Sequence, residues 1–456
     1  MAEKLIIIGG TAAGLSAASK AKRINPNLDI EVFEKSGYIS YGACGLPYFV
    51  GGIIEDAEDL VAMNAETMKN KRGIPTWIHH EVTDIDRENK KVTVKNLNTG
   101  ETRNCPYDKL VIATGAVPSI PSIPGIKSRG IYYLRTVEDG IRLKNAVHHK
   151  AKKAGIIGGG FIGLELAEEL TLAGLSVTLF EQMPRLLPFL DPAFSQKVLD
   201  TLVNHGVTVH LNKGIAEILT EQGQAKWIRT EAGDTVATNI VVVSTGVKPA
   251  TSLAKKAGLK LGIKDTIAVD SDMSTSDPYI WACGDCVQAK HLITGKAAYV
   301  PLGTTANKQG RVAGANAAGG TDHFKGILGS MVTKVFDLYI AATGLSLEQA
   351  KEAGFDAVSS VITKMDRASY YPGGEDNHIC LILDRKTGHL LGAQGIGSES
   401  IAGRINVFAV AITCNMTVEQ INQLDLVYAP PVAPVYDPIL IAASQAMKKV
   451  EKDVYA

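Results

Sequence analysis

The chain has 456 residues, too many for one compact core, so two or three domains are expected. Lys+Arg and Asp+Glu both number 47, a balance that gives no general reason to expect nucleic acid or an acidic membrane surface as partner. No apolar run reaches the roughly 18 residues of a membrane span, and glycines stop the N-terminal "MAEKLIIIGG" short of a signal segment, so a cytoplasmic protein is expected.

The first predicted unit is a β-branched strand from Lys4 to Ile8, the turn Gly9-Gly10-Thr11-Ala12-Ala13-Gly14, and the helix-like "LSAASKAKR". A second strand, Ile30 to Phe33, ends at Glu34. This is a βαβ unit whose glycine turn opens a helix, where backbone N–H groups hold a pyrophosphate. Glu34 stands at the reach of a carboxylate that binds a ribose hydroxyl. Thr11 replaces the middle glycine of the G-x-G-x-x-G pattern.

Next comes "SYGACGLPY", residues 40 to 48, with Cys44 in a small glycine-rich turn. The neighbours His79 and His80 fall in a predicted strand, so they point to opposite faces and cannot chelate one metal. "LVIATGAVPSIPSIPG" (Leu110 to Gly125) then reads as a buried strand, Thr114-Gly115, and a proline-containing exit.

From Gly155 the opening plan repeats, with a complete Gly158-Gly159-Gly160-Phe161-Ile162-Gly163 turn and a strand from Val177 to Phe180 ending at Glu181. One such turn can be a strand–helix junction with no ligand; two copies with correctly placed acids point to two dinucleotides. A carboxylate at Glu181 accepts from a ribose 2′-hydroxyl and repels a 2′-phosphate, so NADH is expected over NADPH, with Arg185 nearby as a softening cation. "IVVVSTGVKPATSLAKKAG" (Ile240 to Gly258) echoes the earlier Thr-Gly crossing.

"TSDPYIWACGDCVQ" follows, with Cys283 and Cys286 at Cys-x-x-Cys spacing. No second Cys/His pair lies at finger spacing, so structural thiols are expected and no metal site. Six scattered cysteines do not form a secreted disulfide framework. From about Phe324, alternating segments predict an antiparallel sheet, and "RINVFAVAITCNMTVEQINQL" predicts a helix. The expected class is therefore α/β, with two Rossmann-like folds and a C-terminal α+β domain.

On these residues the chain resembles the pyridine nucleotide–disulfide oxidoreductases over essentially its whole length. The resemblance implies an FAD domain at 1–115 and 246–323, an inserted NAD domain at 116–245, and a homodimer-building domain at 324–456. It implies that Gly9, Ala12, Gly14, Glu34, Lys35, Thr114, Gly115 and Asp285 hold FAD. Gly158, Gly160, Gly163 and Glu181 would hold the nicotinamide cofactor, with Phe161 as an aromatic gate.

Many members carry Cys-x4-Cys; here Ser40 replaces the first cysteine and Cys44 stands at the second. A single thiol needs an outside partner, either a small thiol in a mixed disulfide or an oxygen in a sulfenic acid. "SxxxC" with "GLPY" resembles the single-cysteine branch of coenzyme A-disulfide reductases, persulfide reductases, NADH oxidases and NADH peroxidases. The oxidases and peroxidases commonly carry a histidine where this chain has Ala12, which counts against oxygen or peroxide. "RASYYPGG" and "LDLVYAPPVAP" resemble segments in which two tyrosines of the partner subunit reach the sulfur, here Tyr370 (or Tyr371) and Tyr428. The same matching implies Lys20, Arg23, Ser40, Arg72 and Asn307 as coenzyme A contacts, with coenzyme A itself able to sit on Cys44. Ala43 departs from the Asn often found before the cysteine.

The expected thiolate at Cys44 is favoured by the nearby helix N-terminus and by the flavin. The alternatives are an NADH oxidase and an electron-transfer flavoprotein with a protein partner.

Overall fold

The structure is a computed structural model that describes residues 2–149 and 151–450. Lys4–Ile8 is the central strand of a five-stranded parallel sheet, ordered 280–282, 109–112, 4–8, 29–33, 76–77. Leu5, Ile6 and Ile7 are fully buried, which is why this strand is an unbroken apolar run rather than an alternating one. The edge strand Ile280–Ala282 comes from far along the chain and pairs beside Lys109–Ile112. The helix Ala12–Ile24 packs its small residues Ala13, Ala17 and Ala21 inward, closely apposed to the helix Gly303–Ala317.

A second parallel sheet repeats the plan, ordered 208–210, 176–180, 153–157, 240–243, 131–132. Two short antiparallel strands, Ala116–Pro118 and Val247–Pro249, join the two parts, and Thr114 Oγ1 donates to Ala250 O across them at 2.7 Å. Both Thr-Gly segments therefore meet at one crossing.

The third sheet is antiparallel, ordered 331–335, 338–344, 390–397, 376–384, 357–365. The helices Ser400–Thr413 and Pro438–Met447 cover it. The single helix expected over 404–424 is broken. Asn415 takes a φ of 54°, and Thr417 and Gln420 form a capping box that starts a separate helix, Val418–Asn422. His79 and His80 also differ from expectation: His79 lies in a turn with φ 56°, and only His80 begins the strand His80–Asp86. Among the described residues, no helix is long and apolar enough to cross a membrane.

Candidate active site

The two glycine turns are built alike. A Cβ on Gly14 would lie 1.9 Å from Gly9 O, and one on Gly163 would lie 2.0 Å from Gly158 O. Only a bare glycine lets each helix start this close to its strand. The acids at the strand ends are held alike too. Glu34 accepts from Gly10 N–H at 2.7 Å and Ser36 N–H at 2.8 Å; Glu181 accepts from Gly159 N–H at 2.7 Å and Met183 N–H at 2.8 Å. Each carboxylate offers about four acceptor positions, so two remain for ribose hydroxyls. The chain thus has two cradles fitting adenine dinucleotides, with their acids already oriented.

A cavity of about 1790 Å³ runs between them. Thr11 and Ala12 line one end, Gly158, Gly160 and Glu181 the other, with Cys44, Phe161 and Asp285 also on its wall. Phe161 stands at the start of the second nucleotide helix, Phe161–Leu172, its ring 6.0 Å from that of Phe189. Cys44 occupies a single 3₁₀ turn, Ala43–Gly45, just before the short helix Leu46–Gly51. Its residue is exposed to the cavity, while Cys283 and Cys286 are fully buried, with Cys286 Sγ only 3.3 Å from Cys283 O. Cys414 also lines the cavity, just after the helix Ser400–Thr413. No group of three or more metal-ligating side chains occurs among the described residues.

The expectation of a depressed Cys44 pKa is corrected for the chain's own groups. Protein packed around the thiol pushes it up, Glu165 pushes it further, and Arg135 pulls it part of the way back. Glu165 was not singled out from the sequence. It belongs to a stripe, Phe161, Glu165, Glu168 and Glu169, spaced to share one helix face. Thr333 donates to Glu165 at 2.8 Å, and Lys334 pairs with Glu168. Three acids inside the otherwise apolar "FIGLELAEELTL" were the available signal.

Arg135 was also missed. Its guanidinium binds Asp285 at 2.7 Å and Ala116 O at 3.2 Å, at the cavity wall. The proposed FAD ligand Asp285 is therefore oriented by a cation from 150 positions earlier. Lys35 is exposed at the end of the first βαβ unit.

The coenzyme A candidates fall in several places. Asn307 lines the main cavity and accepts from Ser16 at 2.7 Å, a neighbour sequence reading did not name. Ser40 takes a φ of 48°, with its N–H donating to Gly10 O at 3.0 Å. Lys20 pairs with Asp322 at 3.3 Å, and Arg23 Nε donates to Ser19 O at 3.1 Å. Arg72 lies apart, in a second cavity of about 410 Å³ with Lys71, Asn64 and Glu58. Tyr370 and Tyr428 are 78% and 56% exposed and do not line their own chain's cavity.

Residues 3–317 match the family described as pyridine nucleotide-disulphide oxidoreductase, and residues 331–437 match its dimerisation domain. A Methanocaldococcus jannaschii protein named NADH oxidase is 38% identical over 98% of this chain and 99% of its own. The NAD(P)H coenzyme A polysulfide/persulfide reductase of Pyrococcus horikoshii is 36% identical over 97% of this chain and 98% of its own. The solved structure of an NAD-dependent persulfide reductase from A. fulgidus is 39% identical, with a TM-score of 0.95 over 98% of this chain and 83% of that one. Twin cradles, the exposed Cys44 thiol between them and these matches together establish that the chain belongs to the pyridine nucleotide–disulphide oxidoreductase family.

Proposed function

We propose that this protein is an FAD-dependent reductase that uses NADH to reduce coenzyme A disulfide, or a related persulfide, through Cys44. The observation that carries this reading is the exposed Cys44 thiol on the wall of the cavity between two dinucleotide cradles, with Ser40 rather than a second cysteine four residues before it. The Pyrococcus relative, whose name specifies coenzyme A polysulfide or persulfide, supports the substrate class.

Cys44 thiolate attacks one sulfur of the incoming disulfide; a Cys44–S–S bond forms as the substrate S–S bond breaks, and one thiolate leaves. A phenol O–H from Tyr370 or Tyr428 of the partner subunit donates the proton that converts the leaving thiolate to thiol. FAD held in the first cradle would supply two electrons drawn from NADH, enough to cleave the mixed disulfide into the Cys44 thiolate and the second substrate thiolate; protons from solvent convert that thiolate to thiol and restore the phenol. Asp285, held by Arg135, and Glu34 would orient a bound flavin nucleotide. Phe161 lines the cavity between the two cradles, and Glu181 favours NADH over NADPH.

The match of residues 331–437 to the dimerisation domain supports a homodimer, and the exposed Tyr370 and Tyr428 support a site shared between subunits. We keep the FAD domain at 1–115 and 246–323, the NAD domain at 116–245 and the interface domain at 324–456, a division that the three separate large sheets support, and a cytoplasmic location fits a thiol chemistry that needs reduced surroundings.

The test is intact mass before and after mild thiol reduction. A coenzyme A-sized loss that vanishes in Cys44→Ser is the expected result, together with loss of NADH-dependent disulfide reduction. An unmodified or only oxygenated Cys44 would shift the reading to the oxidase activity named for the Methanocaldococcus relative. Ala12 argues against that reading, because its methyl group on the cavity wall can neither give nor take a proton.

A further inference from the structure

Tyr370 sits in the loop 366–375, between the strands Ala357–Met365 and Asp376–Asp384. Tyr428 sits in the irregular segment 423–437, between the helices Val418–Asn422 and Pro438–Met447. The two segments are far apart in sequence and their tyrosine side chains are exposed, so the phenols themselves do little to fix the segments. One buried side chain behind them does.

Arg404, on the inner face of the helix Ser400–Thr413, is 6% exposed. Its Nη2 donates to Asp366 O at 2.7 Å, the first residue of the Tyr370 loop. Its Nε and Nη2 donate to the Asp437 carboxylate at 3.1 and 2.9 Å, the last residue of the Tyr428 segment. Each end is fixed in turn. Asp366 accepts from Glu375 N–H at 3.1 Å and Ser398 Oγ at 3.0 Å, which closes the base of its loop. Asp437 caps the helix Pro438–Met447 by accepting from Ile439 N–H at 2.8 Å. Ala368 N–H donates to Pro430 O at 3.2 Å, so the loops also touch directly.

The geometry points to Arg404 as a positioning residue that holds the Tyr370 and Tyr428 segments as one unit, presented to Cys44 of the partner subunit. It rests on the role given to the two tyrosines above. A planar guanidinium serves three acceptors on two segments in one orientation, which a lysine ammonium reproduces only as a point charge. Arg404 does not line the cavity, so it acts only through the tyrosines it places.

The test uses the FAD-loaded dimer, with NADH and coenzyme A disulfide as probes. Arg404→Met is expected to lower disulfide-dependent kcat roughly ten-fold, while NADH-driven flavin reduction stays within about two-fold and the dimer persists. Arg404→Lys is expected to recover part of the loss, and it carries the test if the Met variant fails to fold. Adding Arg404→Met to Tyr370→Phe/Tyr428→Phe is expected to cost less than about two-fold more, because the tyrosines it positions are already disabled. A full further loss in that background, or a wild-type kcat in folded Arg404→Lys and Arg404→Met, overturns the positioning role. A wild-type kcat in Tyr370→Phe/Tyr428→Phe instead removes the tyrosine reading itself, a separate and recognisable failure.

Discussion

Glu169 packs against Gly51, where a Cβ would stand 1.9 Å from Oε2, and its Oε1 finds no hydrogen-bond partner. Burial first, then the adjacent Glu168, push its carboxyl up to about 7 from 4.5. Between those values the folded chain still holds a proton that the unfolded chain has released. The protonated acid's contribution is thus complete below the unfolded value and is lost as pH climbs through this window. Glu169→Gln removes that dependence. The variant should gain on the order of 2 kcal/mol over the parent at pH 8 and little at pH 4. Thermal midpoints at the two pH values measure it, and parallel shifts for both proteins would sink the idea. Glu165 supplies a second residue-scale test. Its negative charge raises the Cys44 pKa, so Glu165→Gln should move the pH profile of Cys44 alkylation to lower pH. An unmoved or upward-shifted profile would contradict that electrostatic role.

Each nucleotide turn tolerates no side chain at its last glycine, because the helix backbone begins against the turn's own carbonyl. The two turns should therefore fail differently. Gly14→Ala is expected to lose bound flavin, read as visible absorbance of the purified protein. Gly163→Ala is expected to keep the flavin but slow its reduction by NADH at least ten-fold, a change of about 1.4 kcal/mol in the barrier. Equal flavin loss in both variants would refute the assignment of one cradle to each nucleotide.

These βαβ units were legible because strand, turn, helix and acid all fall within some thirty consecutive residues. The Arg135–Asp285 pair and the contacts of Arg404 were not, since they join positions far apart and leave no local period. The break at Cys414 to Met416 was missed for a different reason: the apolar spacing runs on through it, and the stop is marked by the positive φ of Asn415 and the capping box of Thr417 and Gln420. Cys44 itself was readable as a lone thiol, but the sign of its environment depended first on the protein packed around it and then on Glu165, which folding brings there from another unit.

At the scale of the whole molecule, the proposed sharing of the site between subunits makes a prediction that no single chain can satisfy. A Cys44→Ser chain and a Tyr370→Phe/Tyr428→Phe chain should each be severely impaired as homodimers. Unfolded together and reassembled at equal amounts, they should regain about a quarter of wild-type turnover, since half the dimers are mixed and each mixed dimer has one intact site. No recovery despite mixed dimers on native mass spectrometry would place the tyrosines and the cysteine in the same chain.

The position of Ile280–Ala282 bears on the order in which the nascent chain acquires structure. The first sheet lacks that edge until more than half the protein has left the ribosome, whereas the second sheet has all its strands by Val243. The inserted unit can therefore close while its host is still an incomplete sheet with Lys109–Ile112 open along one side. Domains emerging vectorially fold as they complete, and an unpaired strand edge is the surface by which such intermediates aggregate. A stalled chain ending near residue 260 should show a protease-resistant core from the later-synthesised segment, with the N-terminal segment still cleavable.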